Sequence, residues 1–136
     1  MRERTTIDVI MVEPMKKPKL IRLEDSLEAM QEAVKGPIEE YMPFTDEVAI
    51  ICNDEGKMRG MELNRAIYDE EGRMMDVIAG PFFIAYAPIE SKNFLSLPEH
   101  LQEKYLEKFK HPEMFVMSTN GVQAIKVPPR RDDFER

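Results

Sequence analysis

Val48-Ala49-Ile50-Ile51-Cys52 runs directly into Asn53-Asp54-Glu55-Gly56-Lys57, and Gly60-Met61-Glu62-Leu63-Asn64-Arg65-Ala66 follows close behind. An apolar run closed by a polar turn is the pattern of a strand buried on both faces. We therefore expect the interior strand of the molecule at 48–52, with the remaining elements packed around it.

Upstream, Ile7-Asp8-Val9-Ile10-Met11-Val12 and Lys19-Leu20-Ile21-Arg22-Leu23 read as two strands of a hairpin. The segment between them carries Pro14 and Pro18, which a central ladder does not accept. Asp25-Ser26-Leu27-Glu28 is a capping signal, with an oxygen-bearing cap and a Glu three positions on. Leu27, Met30, Ala33 and Val34 then fall on one helical face, and Gly36-Pro37 closes the helix. Ile38-Glu39-Glu40-Tyr41-Met42-Pro43-Phe44 suits a short edge segment.

Downstream, Asp69-Glu70-Glu71-Gly72 echoes the turn at 53–56, with glycine expected to supply a positive φ in both. The apolar stretch 76–86 is broken by Gly80-Pro81, where a kink or bulge is expected. Ser96-Leu97-Pro98-Glu99 opens a second helix whose Leu97, Leu101, Tyr105 and Phe109 form one stripe. Asn120-Gly121, between two apolar runs, is a strong hairpin signal.

These elements give an α+β fold: a mixed or mostly antiparallel sheet from strands near 7–12, 19–23, 47–52 and 76–86, with the first helix on one face. A ubiquitin-like order of hairpin, helix and strands is one consistent topology. The expected layout is a single domain over 1–127, with its core at 7–90 and the second helix and C-terminal hairpin appended at 96–127. Residues 128–136 read as a flexible charged tail.

A chain of 136 residues with 43% hydrophobic composition can bury one core without a disulfide or metal. Its single cysteine, Cys52, and two histidines, His100 and His111, rule out a Cys/His zinc site within one chain. Neither a signal peptide nor a membrane span is visible, and the single cysteine fits a reducing compartment, so we expect a cytoplasmic protein. The net charge of -7 argues against direct nucleic-acid binding. It is unevenly placed: between Glu24 and Glu55 ten acidic residues face Lys35 alone. If Glu28, Glu32, Glu39, Glu40 and Asp54 share a surface, they would attract a basic protein partner. The plainer alternative is a solvated face that maintains solubility.

Several stretches together are similar to a known family: Val12-Glu13-Pro14, Lys17-Pro18, Gly36, Ile51-Cys52-Asn53-Asp54-Glu55-Gly56-Lys57, Leu63-Asn64-Arg65-Ala66, Asp76-Val77-Ile78-Ala79-Gly80 and Pro112-Glu113-Met114-Phe115. The chain resembles domain of unknown function 3846, over about residues 7–127. That resemblance implies a compact α+β domain in a phage or conjugative-element setting of Firmicutes, and no activity. Lys35-Gly36-Pro37 and Pro81 depart from the family pattern, so a site using either segment would have a different shape here.

Asn64-Arg65 is the pair that stands out for chemistry. A guanidinium beside a carboxamide offers fixed donors for a carboxylate or phosphate, and Asn53 and Glu55 in the preceding turn could line the same mouth. Such a site would sequester an anionic, nucleotide-type small molecule. Equally, Arg65 could pair with a nearby carboxylate while Asn64 satisfies a turn. Cys52 reads as a buried structural thiol, with no histidine near it in sequence to act as base. Asp69, Glu70 and Glu71 lack the spacing of a calcium loop. The eleven methionines suit soft core filling or an adaptable surface. With no glycine-rich phosphate loop, no nucleophile triad and no cofactor motif, enzymatic function is not expected, nor is a cofactor. Three readings remain: a mobile-element accessory that binds a basic partner, a small-ligand binder at Asn64/Arg65, and a scaffold without ligand.

Overall fold

The structure, a computed structural model, describes residues 5–130. In chain order the elements are β1 (Thr6–Val12), β2 (Lys19–Glu24), α1 (Leu27–Val34), β3 (Ile38–Tyr41), β4 (Val48–Asn53), β5 (Leu63–Tyr68), β6 (Met74–Ala79), β7 (Phe82–Tyr86), α2 (Glu99–Lys108), β8 (Glu113–Ser118) and β9 (Gly121–Lys126). The class is α+β, and every strand pairing is antiparallel. Five strands form the central sheet in the order β2-β1-β7-β4-β3, while β5-β6 and β8-β9 are separate two-stranded sheets. The hairpin, helix and strand order holds along the chain.

Each residue of β4 is buried because both faces of the central sheet are covered. Val48, Ile50 and Cys52 point to one side, where they join Ile10, Phe82 and Ile84 against Ile67, Ile78 and the α2 stripe. Ala49 and Ile51 point to the other, where they meet Met30 and Val34 of α1. The middle position in the sheet, however, belongs to β7, flanked by β1 and β4.

That placement corrects the expectation for 76–86. The run is two strands in two sheets, not one bent strand. Gly80 takes φ +85 and Pro81 offers no amide donor, so pairing with β5 stops and the chain crosses to the central sheet. The second helix is likewise no appendage: Leu97, Leu101, Tyr105 and Phe109 are buried in the same cluster as the sheet, with Phe109 edge-on to Phe82.

The caps differ in detail from their sequence signals. Ser26, not Asp25, caps α1, its Oγ accepting from the Ala29 amide, and Leu27 stays 56% exposed. Lys35, not Gly36, takes the left-handed turn at φ +66. Ser96 Oγ accepts from the amide of Asp8 in β1, leaving Pro98 to cap α2 without a side-chain bond. Of the two similar turns, only Gly72 needs its positive φ of +82; Gly56 is required because a Cβ there would lie 2.6 Å from the Ala79 carbonyl oxygen.

At the C-terminal end of the described chain, the Arg130 amide donates to the Met15 carbonyl and its guanidinium reaches Glu62. The expected loose tail therefore does not begin at 128; its portion at 131–136 lies outside the described residues. No helix among the described residues is long and apolar enough to cross a membrane.

Candidate functional site

Asn64 and Arg65, the second and third residues of β5, are both 0% exposed. The Asn64 amide nitrogen donates to the carbonyls of Val12 and Gly80, each at 2.9 Å, and its oxygen accepts from Arg65 Nη1. Arg65 then donates Nε and Nη2 to the Phe109 carbonyl, Nη2 to the Lys16 carbonyl at 2.7 Å, and Nη1 also to the Asn64 carbonyl. A guanidinium has five N–H donors, and all are engaged by the chain itself.

The cation rests against the C-cap of α2, where the helix dipole is negative. Glu113, buried beside it, accepts the Ala66 amide at 2.9 Å. Burial presses the Arg65 pKa down to about 10, with Glu113 opposing the shift. Burial likewise raises the Glu113 carboxyl above its ordinary range, although the Ala66 amide and Arg65 pull it back. This arrangement is a structural knot that ties β1, the β1–β2 loop, the turn before β7 and the end of α2 to β5. It corrects the reading of Asn64 and Arg65 as an open anion site, since no donor faces solvent.

Asn53 and Glu55 do not share a mouth with that pair. Asn53 closes its own turn by accepting from the Glu55 amide at 2.7 Å, and its Nδ2 donates to the last carbonyl of α1, at Val34. Gly36 is glycine for this reason, because a Cβ there would sit 2.6 Å from Asn53 Nδ2. Glu55 is exposed and lies 3.8 Å from Arg59.

The acidic residues fare differently. Glu28, Glu32, Glu39, Glu40 and Asp54 are all exposed, and none has a cationic partner within 4.0 Å among the described residues. By contrast, Asp46 is held by Lys104 and Tyr105, Asp76 by Lys57, and Asp69 by Arg73. The Lys104 and Tyr105 hydrogen bonds hold the Asp46 carboxyl below its usual range.

Glu39 pairs across from Cys52 and Glu40 from Ile51, so the two neighbours lie on opposite faces of the sheet edge. Glu39 opens onto a cleft of about 270 Å³ lined by Cys52, Asp54, Lys57 and Asp76. Glu40 opens onto one of about 530 Å³ with Asp46, Glu47 and the apolar walls Phe44, Ile89 and Phe94. Glu28 and Glu32, one turn apart on α1, stand on the Glu40 side. The sequence reading missed Asp76 and the second cleft. A charged residue inside an otherwise apolar strand, as Asp76 is in Met74-Met75-Asp76-Val77-Ile78, was the one signal for the former.

Such clefts can take a lysine or arginine side chain, its apolar stem against the walls and its head at the carboxylates. Cys52 contributes no reactivity: it is 5% exposed, and burial pushes its thiol up to about 11. His100 and His111 are exposed. Among the described residues no group of three or more His, Cys, Asp or Glu is arranged to hold a metal ion.

No curated protein and no solved structure matches the chain. A family model described as a domain of unknown function, DUF3846, matches residues 7–110, from the first strand to the end of the second helix, and the chain belongs to that family.

Proposed function

We propose that the protein is a binding module that captures a basic protein partner at the β3 edge, acting as an accessory of a mobile element that blunts a host defence or regulatory system. One observation supports this reading above the others. The adjacent Glu39 and Glu40 open onto separate clefts on opposite faces of the edge, and neither carboxylate has a cationic partner within 4.0 Å among the described residues. With Glu28, Glu32 and Asp54 they create a field that draws cations and repels nucleic acid. The small-ligand reading at Asn64/Arg65 lacks a free donor, and no observation favours it.

The test uses a labelled lysine- and arginine-rich peptide, with its glutamate-substituted counterpart as control, followed by fluorescence anisotropy over a salt series. Binding of the basic peptide that weakens steeply with salt and drops roughly tenfold or more in a Glu39→Gln/Glu40→Gln variant is expected. Equal binding by that variant, or binding indifferent to salt, overturns the proposal.

A further inference from the structure

We propose that the β8–β9 ribbon is where two copies of this chain associate, the free edge of β9 in one copy pairing antiparallel with the same edge in the other. This rests on observations separate from the acidic clefts.

A third of the chain is charged, yet the twelve residues from Met114 to Ile125 contain no ionisable side chain. They are also poorly covered: Met117 is 77% exposed, Met114 53% and Ile125 49%, with Val116 and Val122 exposed as well. Apolar side chains thus lie open on both faces of a two-stranded ribbon, which is a marginal structure by itself and gains strength as part of a larger sheet. The outer edge of β9 has no strand partner among the described residues.

A comparison with the edges of the central sheet identifies the occupant. β2 carries Lys19, Arg22 and Glu24, and β3 carries Glu39 and Glu40, charges that discourage a second copy from adding its own strand. β9 carries none before Lys126. A charged partner would find nothing on this edge to read, whereas another uncharged strand fits it, and β9 is itself such a strand. An antiparallel pairing about a two-fold axis near Gln123 or Ala124 also places the two Lys126 side chains at opposite ends. They are then at least roughly 13 Å apart along the strands, beyond the Debye length of about 8 Å at physiological salt. The contact is isologous, so it closes at two copies.

Sedimentation velocity of the full chain, from about 1 μM to about 1 mM, tests this together with the single variants Gln123→Lys and Gln123→Glu. Gln123 is exposed, and in either register it lies on or beside the axis. The wild type is expected to shift from monomer to dimer with concentration. Each variant alone stays monomeric with an unchanged circular dichroism spectrum, and an equimolar mixture of the two regains the dimer. A wild type that is monomeric throughout, whether or not it binds vesicles or other proteins, overturns the proposal. So does a dimer that both single variants retain.

Discussion

Two pairs of neighbouring polar residues sit on strands of this protein and meet opposite fates. Asn64 and Arg65 on β5 are sealed from solvent with every donor engaged, whereas Glu39 and Glu40 on β3 are exposed and have no cationic partner among the described residues. Position in the topology decides this. β5 lies between the central sheet, α2 and β8, while β3 is one of the two edge strands of the central sheet. A buried polar group is worth its hydrogen bonds to the fold, and removing it leaves orphaned partners. An exposed, uncompensated carboxylate contributes little to folding and remains available to a partner.

The sharpest way to break the comparison is Arg65→Met, which keeps an apolar stem but removes all five donors. The carbonyls of Lys16 and Phe109 and the Asn64 side-chain oxygen lose their donor and the buried Glu113 loses a nearby positive charge, and we expect a loss of about 3–5 kcal/mol in urea unfolding. A loss below about 1 kcal/mol would show that the knot is not what holds these segments together. Next is Asn53→Ala, which frees the Val34 carbonyl and the Glu55 amide and should cost about 1–3 kcal/mol. Its coupling to Gly36→Ala sharpens the point. A Cβ at 36 collides with Asn53 Nδ2 in the wild type; once that amide is gone only the flexible end of Arg59, at 3.0 Å, must shift, so a double-mutant cycle should show the paired change costing less than the sum.

Glu113 supplies a pH signature. Its carboxyl is raised in the folded state above the ordinary value of 4.5, so the folded chain holds that proton more tightly than the unfolded chain does. Its contribution is fully present below 4.5 and is lost as pH rises through the folded value. Asp46 acts with the opposite sign. Lowered from 3.8 by Lys104 and Tyr105, it stabilises above that value and loses its contribution as pH falls through the folded pKa. Urea midpoints across mildly acid pH should flatten above 4.5 in Glu113→Gln, and below 3.8 in Asp46→Asn. An unchanged profile in the first variant would separate Glu113 from the knot.

How far these fates could be read in the sequence depends on how local their causes are. The strand at 48–53, the helix after Ser26 and the hairpin at Asn120-Gly121 follow from periodicity, caps and turn chemistry within a few residues. Gly80-Pro81 was visible as punctuation, but its consequence, a change of sheet, depends on β1 and β4 lying ready to receive β7. Arg65 looked like a binding residue because its acceptors are backbone carbonyls at 16 and 109, which leave no mark in side-chain identity. The acidic run was equally plain, but which carboxylates are neutralised was not. Asp46 finds Lys104 fifty-eight residues away, while Glu39 and Glu40 find no cation among the described residues.

The smallest expected effect on stability closes the comparison from the other side. Glu39→Gln/Glu40→Gln removes two charges that touch no cation among the described residues, so the unfolding free energy in urea should move by less than about 0.5 kcal/mol, and any shift should be a gain, because neighbouring carboxylates repel. Cleft shape is preserved, since glutamine matches glutamate in size. If the edge exists for a partner, this near-silent variant should still be the one that loses the basic peptide, while Arg65→Met, damaged in stability but lining neither cleft, should bind it as the wild type does whenever it is folded. A double variant that falls by several kcal/mol would mean the two carboxylates are held by contacts of the fold, and the contrast with Asn64 and Arg65 would vanish.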